Sequence, residues 1–262
     1  MTRKDLTKML ELCQGRWPDV RCTFGVIAFW AAQIGRIGHE VCFFDGAWGY
    51  RDGADLEYDG GNVDPALEWA QPGRVIAPWR DEELLGRHGL AHDPNGIWFK
   101  TNARTFEGIE EPEVPDGYWL TTMAEYDDLA SRAAAHGSAF APGSRMTVEV
   151  YELVRGGWPY RADLDCVCVG PDGHVASYAL AWLDERNAVG EFEPVGTHAD
   201  HRRRGLARAT NLFALQRLRA EGARTALVSC RGDDAYPIPR ELYASVGFEE
   251  IDRKVSFTRA TR

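Results

Sequence analysis

The sequence predicts an α/β (α+β) chain in which helices flank a mixed sheet, and three observations carry that prediction. Its second half orders apolar and amphipathic runs as helices, hairpin, strand, helix, strand, helix, strand. Turn signals with a known mechanism separate the runs, above all Pro171-Asp172-Gly173, where glycine supplies a positive φ. Hydrophobic residues make up 44% and charged residues 27% of the 262, the balance of a chain that folds throughout. That length suits one large domain or two of ordinary size.

The elements follow in chain order. Cys22 to Ile37 is a hydrophobic stretch and Val41 to Phe44 a strand, while Pro65 to Ala70 and Glu82 to Arg87 are helices, the second ended by Gly89. Residues 103–117 hold two prolines, four glutamates and an aspartate with few apolar groups, and read as a linker. The division expected from it is 1–110 and 117–262. Met123 to Ala135 carries apolar residues at helical period and stops at His136-Gly137, and Thr147 to Arg155 is a further helix. Leu164 to Val169 and His174 to Leu183 form a hairpin, followed by a strand from Gly190 to Thr197. Leu206 to Glu221 is a long helix closed at Gly222. Thr225 to Cys230 is a short buried strand, Pro239 to Val246 a helix ended by Gly247, and Lys254 to Thr258 the last strand.

Composition narrows the function. A net charge of -10 argues against nucleic acid as a partner, because counterion release needs a basic surface, and it favours cationic partners. The longest apolar run, Phe24 to Ile34, is broken by Gly25 and Gln33 and too short to cross a bilayer, and no basic-then-apolar segment opens the chain. The expected compartment is therefore the cytoplasm, with no membrane partner. Cys13, Cys22, Cys42, Cys166, Cys168 and Cys230 include no C-x-x-C pair, so reduced, buried thiols and no metal are expected.

The most informative stretch is EFEPVGTHADHRRRGLARA, from Glu191 to Ala209. A strand entering a glycine-containing turn and then a helix brings several N–H groups and the positive end of a helix dipole to one point, and that point binds anions. Here the turn is Arg202, Arg203, Arg204, Gly205, Leu206 and Ala207, whose small residues let the main chain approach a phosphate. Neither G-x-G-x-x-G nor G-x-x-x-x-G-K-[ST] is present, so a Rossmann site or a P-loop is unsupported. His198 and His201 flank the turn and are read as incidental surface residues.

This stretch resembles the [RQ]-x-x-G-x-[GA] loop of the GNAT superfamily of N-acetyltransferases, met by Arg202, Gly205 and Ala207. A second match lies downstream, where Leu242, Tyr243, Gly247 and Phe248 fit the family's L-Y-x-x-x-G-F helix. The resemblance runs from about Gly117 to Phe257 and implies a mostly antiparallel GNAT-like sheet. It also implies acetyl-CoA as co-substrate, without a metal. The backbone of Arg203 to Ala207 would hold the coenzyme's pyrophosphate, with the strand stretch Val195, Gly196 and Thr197 along the thioester and pantetheine arm. Tyr243 falls where the family places the acid that protonates the departing thiolate, a role that suits a phenol. Glu191 and Glu193 project from one face of their strand, and either could take the proton of the incoming amine. Tyr236 stands where many members have a coenzyme-facing asparagine, which leaves that contact open.

The first hundred residues invite a fainter comparison: Leu84 to Leu90 followed by Ile97 to Lys100 looks like a worn copy of Leu242 to Phe248 and the last strand, with Val41 to Trp48 as the matching hairpin. The expectation is two such domains in tandem, with 1–110 a degenerate or accessory copy and 117–262 catalytic. The acceptor expected is a primary amine of a small molecule, such as an aminoglycoside-like antibiotic, and the protein a monomer or homodimer. The alternative is a non-catalytic acyl-CoA-binding sensor or scaffold, for which Tyr243 and the two strand glutamates would be superfluous.

Overall fold

The computed structural model describes residues 2–33 and 40–259. Contacts divide the chain into two compact units whose segments interleave. The first takes the chain up to Asn102 together with Ser229–Glu241 and the stretch from Glu250, and the second comprises Ala103–Val228 and Leu242–Glu249. The linker expected at 103–117 thus begins close to the first boundary, but two C-terminal segments fold back into the first unit.

The first unit opens with α1 (Arg3–Arg16). Its start is fixed by a capping box in which Thr2 Oγ1 accepts from the Asp5 N–H at 3.2 Å and Asp5 accepts from the Thr2 N–H at 2.7 Å. Leu6, Met9, Leu10 and Cys13 recur at helical spacing and are buried. The stretch Cys22 to Ile37 contributes α2 (Phe24–Gln33), and its last residues lie outside the described ones. Then β1 (Glu40–Phe44), β2 (Ala47–Asp52) and β3 (Asp55–Gly60) form an antiparallel meander. A short α3 (Asp64–Ala70) crosses to β4 (Arg74–Pro78), which runs parallel to β3. After α4 (Glu82–Arg87), Gly89 turns the chain at φ +75° into β5 (Leu90–His92), and β6 (Phe99–Arg104) follows. The strand order is β1-β2-β3-β4-β12-β6, where β12 (Glu249–Arg259) is the last strand of the chain and also pairs with β5. Leu56, Tyr58, Leu67, Val75, Leu85 and Phe257 meet in its core.

The second unit is an antiparallel run of β7 (Trp119–Thr122), β8 (Asp165–Val169), β9 (Val175–Asp184) and β10 (Val189–Thr197), to which β11 (Thr225–Arg231) adds in parallel. One face carries α5 (Met123–Tyr126), α6 (Leu129–Ala139) and α7 (Val148–Arg155), packed on Val167, Val169, Val175 and Tyr178. The single helix expected over 123–135 is two. Asp127 takes a left-handed φ of 47°, and Asp128 restarts the helix by accepting from the Ser131 N–H at 2.9 Å. Short aspartate side chains compete for the backbone while the apolar period continues across them. On the other face α8 (Leu206–Ala220) buries Leu206, Leu212, Leu215 and Leu218. Gly190 makes that contact possible, since a Cβ there would lie 2.5 Å from Leu218 Cδ1. Finally α9 (Ile238–Ser245) ends at Gly247, φ +82°.

The sequence β3–α3–β4–α4 repeats the order of β10–α8–β11–α9, each with a parallel strand pair about its first helix and a positive-φ glycine after its second. The comparison of Leu84–Leu90 with Leu242–Phe248 therefore falls on corresponding elements. The difference lies at the first helix: seven residues in α3 against fifteen in α8, preceded by Gly60-Gly61-Asn62-Val63 and not by a basic turn.

Candidate active site

β10 and β11 are in register only from Val189 with Thr225 to Phe192 with Val228. Past that point β10 is bulged: its register against β9 shifts between Phe192 and Val195 before Val195, Gly196 and Thr197 resume opposite Ala179, Tyr178 and Ser177. The His198 N–H donates to Ala176 O at 2.8 Å, on the β9 side. By alternation the Gly196 N–H also faces β9, whereas those of Val195 and Thr197 point to the opposite edge. Gly196 thus contributes no outward N–H, and its part is the lack of a side chain: a Cβ would sit 2.5 Å from Tyr178 Oη and 2.8 Å from Ala139 Cβ.

The turn that follows is built from two left-handed residues, Arg203 at φ 59° and Gly205 at φ 78°, the latter capping α8. Alternation of this kind turns successive N–H groups into one concavity. The N–H groups of residues 203–207 have no hydrogen-bond partner among the described residues, and the space where a Gly205 Cβ would stand is open. The helix dipole points into the same place.

Side chains brace the turn from beneath. Arg202 donates to Ala139 O at 3.0 Å and to Thr197 O at 3.4 Å, and the Ala199 N–H donates to Ser138 Oγ at 2.9 Å, so the end of α6 holds the turn's entrance. Arg204 donates to Tyr118 Oη at 2.8 Å, and that oxygen also meets His201 Nδ1 at 2.9 Å. His201, read as incidental, is part of the scaffold. Arg203 is exposed.

The remaining expected residues divide by place. Glu191 pairs across the sheet with Trp182 and Leu227 and is 2% exposed, whereas Glu193 is half-buried at the bulge, its carbonyl accepting from Trp182 Nε1 at 2.5 Å. Tyr243 is buried on α9 with its ring edge-on to Phe248, which meets Phe192 of β10 in the same way. Tyr236 belongs to the first unit and is 45% exposed.

Sequence reasoning missed a buried polar group on the α6 face. Arg132, 2% exposed, pairs with fully buried Asp165 at 3.0 Å, and Asp165 also accepts from Tyr151 Oη at 2.6 Å. Burial opposes the Arg132 charge, yet the adjoining Asp165 carboxylate more than offsets it and holds the guanidinium above its ordinary pKa. The guanidinium lies 3.6 Å from the Tyr178 ring centroid, and His136 stacks on the same tyrosine at 5.9 Å and 19°. Burial, aided by the Arg132 charge, pushes His136 down to about 3, so this ring is neutral. No cluster of three or more potential metal-ligating side chains occurs among the described residues.

The second unit is thus of the α/β class, with a bulged strand that runs into an open concavity of main-chain N–H groups at a helix start. Residues 134–248 match the Acetyltransferase (GNAT) family, and the C-terminal half of this chain is a GNAT acetyltransferase domain. A mycothiol acetyltransferase of Saccharomonospora viridis is 26% identical over 162 residues, which are 58% of this chain and 52% of that protein. The match spans about half the length of that relative. Among solved structures, a GCN5-related N-acetyltransferase from Sphaerobacter thermophilus is similar with a TM-score of 0.65 at 20% identity, covering 98% of this chain and 93% of the other. A tandem GNAT protein from the clavulanic acid biosynthesis pathway is similar at 0.62 and 15% identity, covering 100% and 98%. These two likenesses run through both units, and the fold is that of tandem GNAT-like domains.

Proposed function

We propose that this protein is an acetyl-CoA-dependent N-acetyltransferase acting on a primary amine of a small molecule. The observation that carries the reading is the concavity of unpartnered N–H groups over residues 203–207, which suits a diphosphate. The coenzyme supplies an activated acetyl group. Arg203 to Ala207 bind the diphosphate through their main chain, with Arg202 fixing the turn. Val195 and Thr197 turn their N–H groups to the edge along which the acyl arm lies, where a donor stabilises growing negative charge by a few kcal/mol. Glu193, half-buried at the bulge, is better placed than buried Glu191 to take a proton from the amine, directly or through water. Tyr243 protonates the departing thiolate, and Tyr236 stands where a coenzyme-facing polar residue is expected.

The mycothiol acetyltransferase relative and the net charge of -10 support an amine-bearing small molecule, with polycations such as aminoglycosides among the candidates. We read residues 1–110 as a degenerate copy that lacks an anion turn and takes no coenzyme of its own. Incubation with acetyl-CoA and a panel of amines, following free thiol, tests the proposal. Amine-dependent thiol release is expected, and coenzyme binding without release on any amine would favour the sensor reading. Calorimetry that finds no affinity for the coenzyme would remove both.

A further inference from the structure

We propose that Trp182 is a positioning residue: through the Glu193 carbonyl, its indole N–H sets the aim of the Val195 N–H and of the Glu193 carboxylate, a role that rests on the acetyltransferase reading above. The bulge in β10 places two residues, Glu193 and Pro194, opposite Leu180 alone. Trp182 sits on β9 across from Glu191, and its side chain reaches past that partner to donate from Nε1 to Glu193 O at 2.5 Å. Proline carries no N–H, so the Glu193 carbonyl is the sole strong hydrogen-bonding group of the linkage between residues 193 and 194. A hydrogen bond can hold that linkage only by its oxygen. The next main-chain donor along the strand is the Val195 N–H, aimed in the reading above at the thioester, and the Glu193 carboxylate branches from the residue whose carbonyl is held.

The donor is itself fixed. Trp182 is buried, and the Tyr160 ring meets it edge-on at 6.2 Å and 71°. The Tyr160 hydroxyl lies 3.2 Å from Tyr151 Oη, which donates to fully buried Asp165 at 2.6 Å. A chain of contacts thus runs from a buried carboxylate through two phenols and an indole to one carbonyl at the bulge. A register shift is where a strand is least constrained by its ladder, and a misplacement of about 1 Å at a catalytic group can cost on the order of a hundredfold in rate. The indole N–H supplies at that point a constraint that the ladder does not.

Trp182→Phe removes the donor together with part of the ring, so the test uses benzothienylalanine placed at position 182, a tryptophan isostere with sulfur in place of the ring N–H. Steady-state kinetics with acetyl-CoA and an accepted amine should show kcat lowered about tenfold or more, with KM for acetyl-CoA within about twofold of wild type. In the ligand-free protein the amide resonance of Val195 should move. An indole that only fills the core predicts unchanged kcat and an unmoved Val195 amide, and either result overturns the inference. So does a rise in KM at constant kcat, which would assign Trp182 to binding alone. A wild-type protein that releases no thiol with any amine removes the acetyltransferase reading instead, and the ligand-free Val195 resonance then still decides whether Trp182 sets this stretch of main chain.

Discussion

Tyr243→Phe keeps the ring against Phe248 and removes only the hydroxyl, so it separates chemistry from packing. As the proposed acid it should cost at least about a hundredfold in kcat, with acetyl-CoA affinity unchanged by calorimetry. Gly205→Ala tests the turn by another route. There is room for the methyl, but φ of 78° is strained for alanine, so a melting curve should show a loss of about 1 kcal/mol and calorimetry a weaker coenzyme complex. The turn through Arg202, Gly205 and Ala207 was legible as a glycine-led entry into a helix because that signal is local to a few residues. Tyr178 and the Arg132–Asp165 pair were not, because their partners are set by strand register and helix packing and leave no periodic trace.

At the scale of elements, the stretches with one buried face and clear caps were readable. Thr147 was expected at the start of a helix, and its hydroxyl accepts from the Val150 N–H at 3.3 Å as the cap of α7. Thr147→Ala should lower stability by about 1 kcal/mol in a denaturant titration without changing acetyl-CoA affinity. The strands β3 to β5 were overlooked because they are short, and Asp55–Gly60 carries charged residues, so the apolar alternation that marks a strand is weak. β12 shows the same effect in reverse: only Lys254 to Thr258 read as strand, since the exposed Glu249 to Ile251 gave no buried alternation. The bulge in β10 left no signal except Pro194, whose missing N–H is tolerated at such a point.

For the molecule as a whole, acid is the informative variable. The unfolded chain protonates His136 near its ordinary 6.5, whereas burial and Arg132 hold the folded group near 3. Between those limits the unfolded state binds a proton that the native state refuses. His136 therefore leaves stability intact above about pH 6.5 and erodes it as pH falls, by about 2 kcal/mol at pH 5. Melting temperature should drop between pH 7 and 5 in wild type and more shallowly in His136→Asn. A slope of equal steepness in the variant would place the sensitive group elsewhere.

The position of β12 between β4 and β6 has a consequence for how the protein is made. A ribosome emits residues 2–102 long before residues 250–259 emerge, so the nascent first unit must wait with a seat vacant in its sheet while the second is synthesised. That sheet is completed only when residues 250–259 join it, and a chain terminated before them, however intact its acetyltransferase motifs, leaves two exposed strand edges, on β4 and β6.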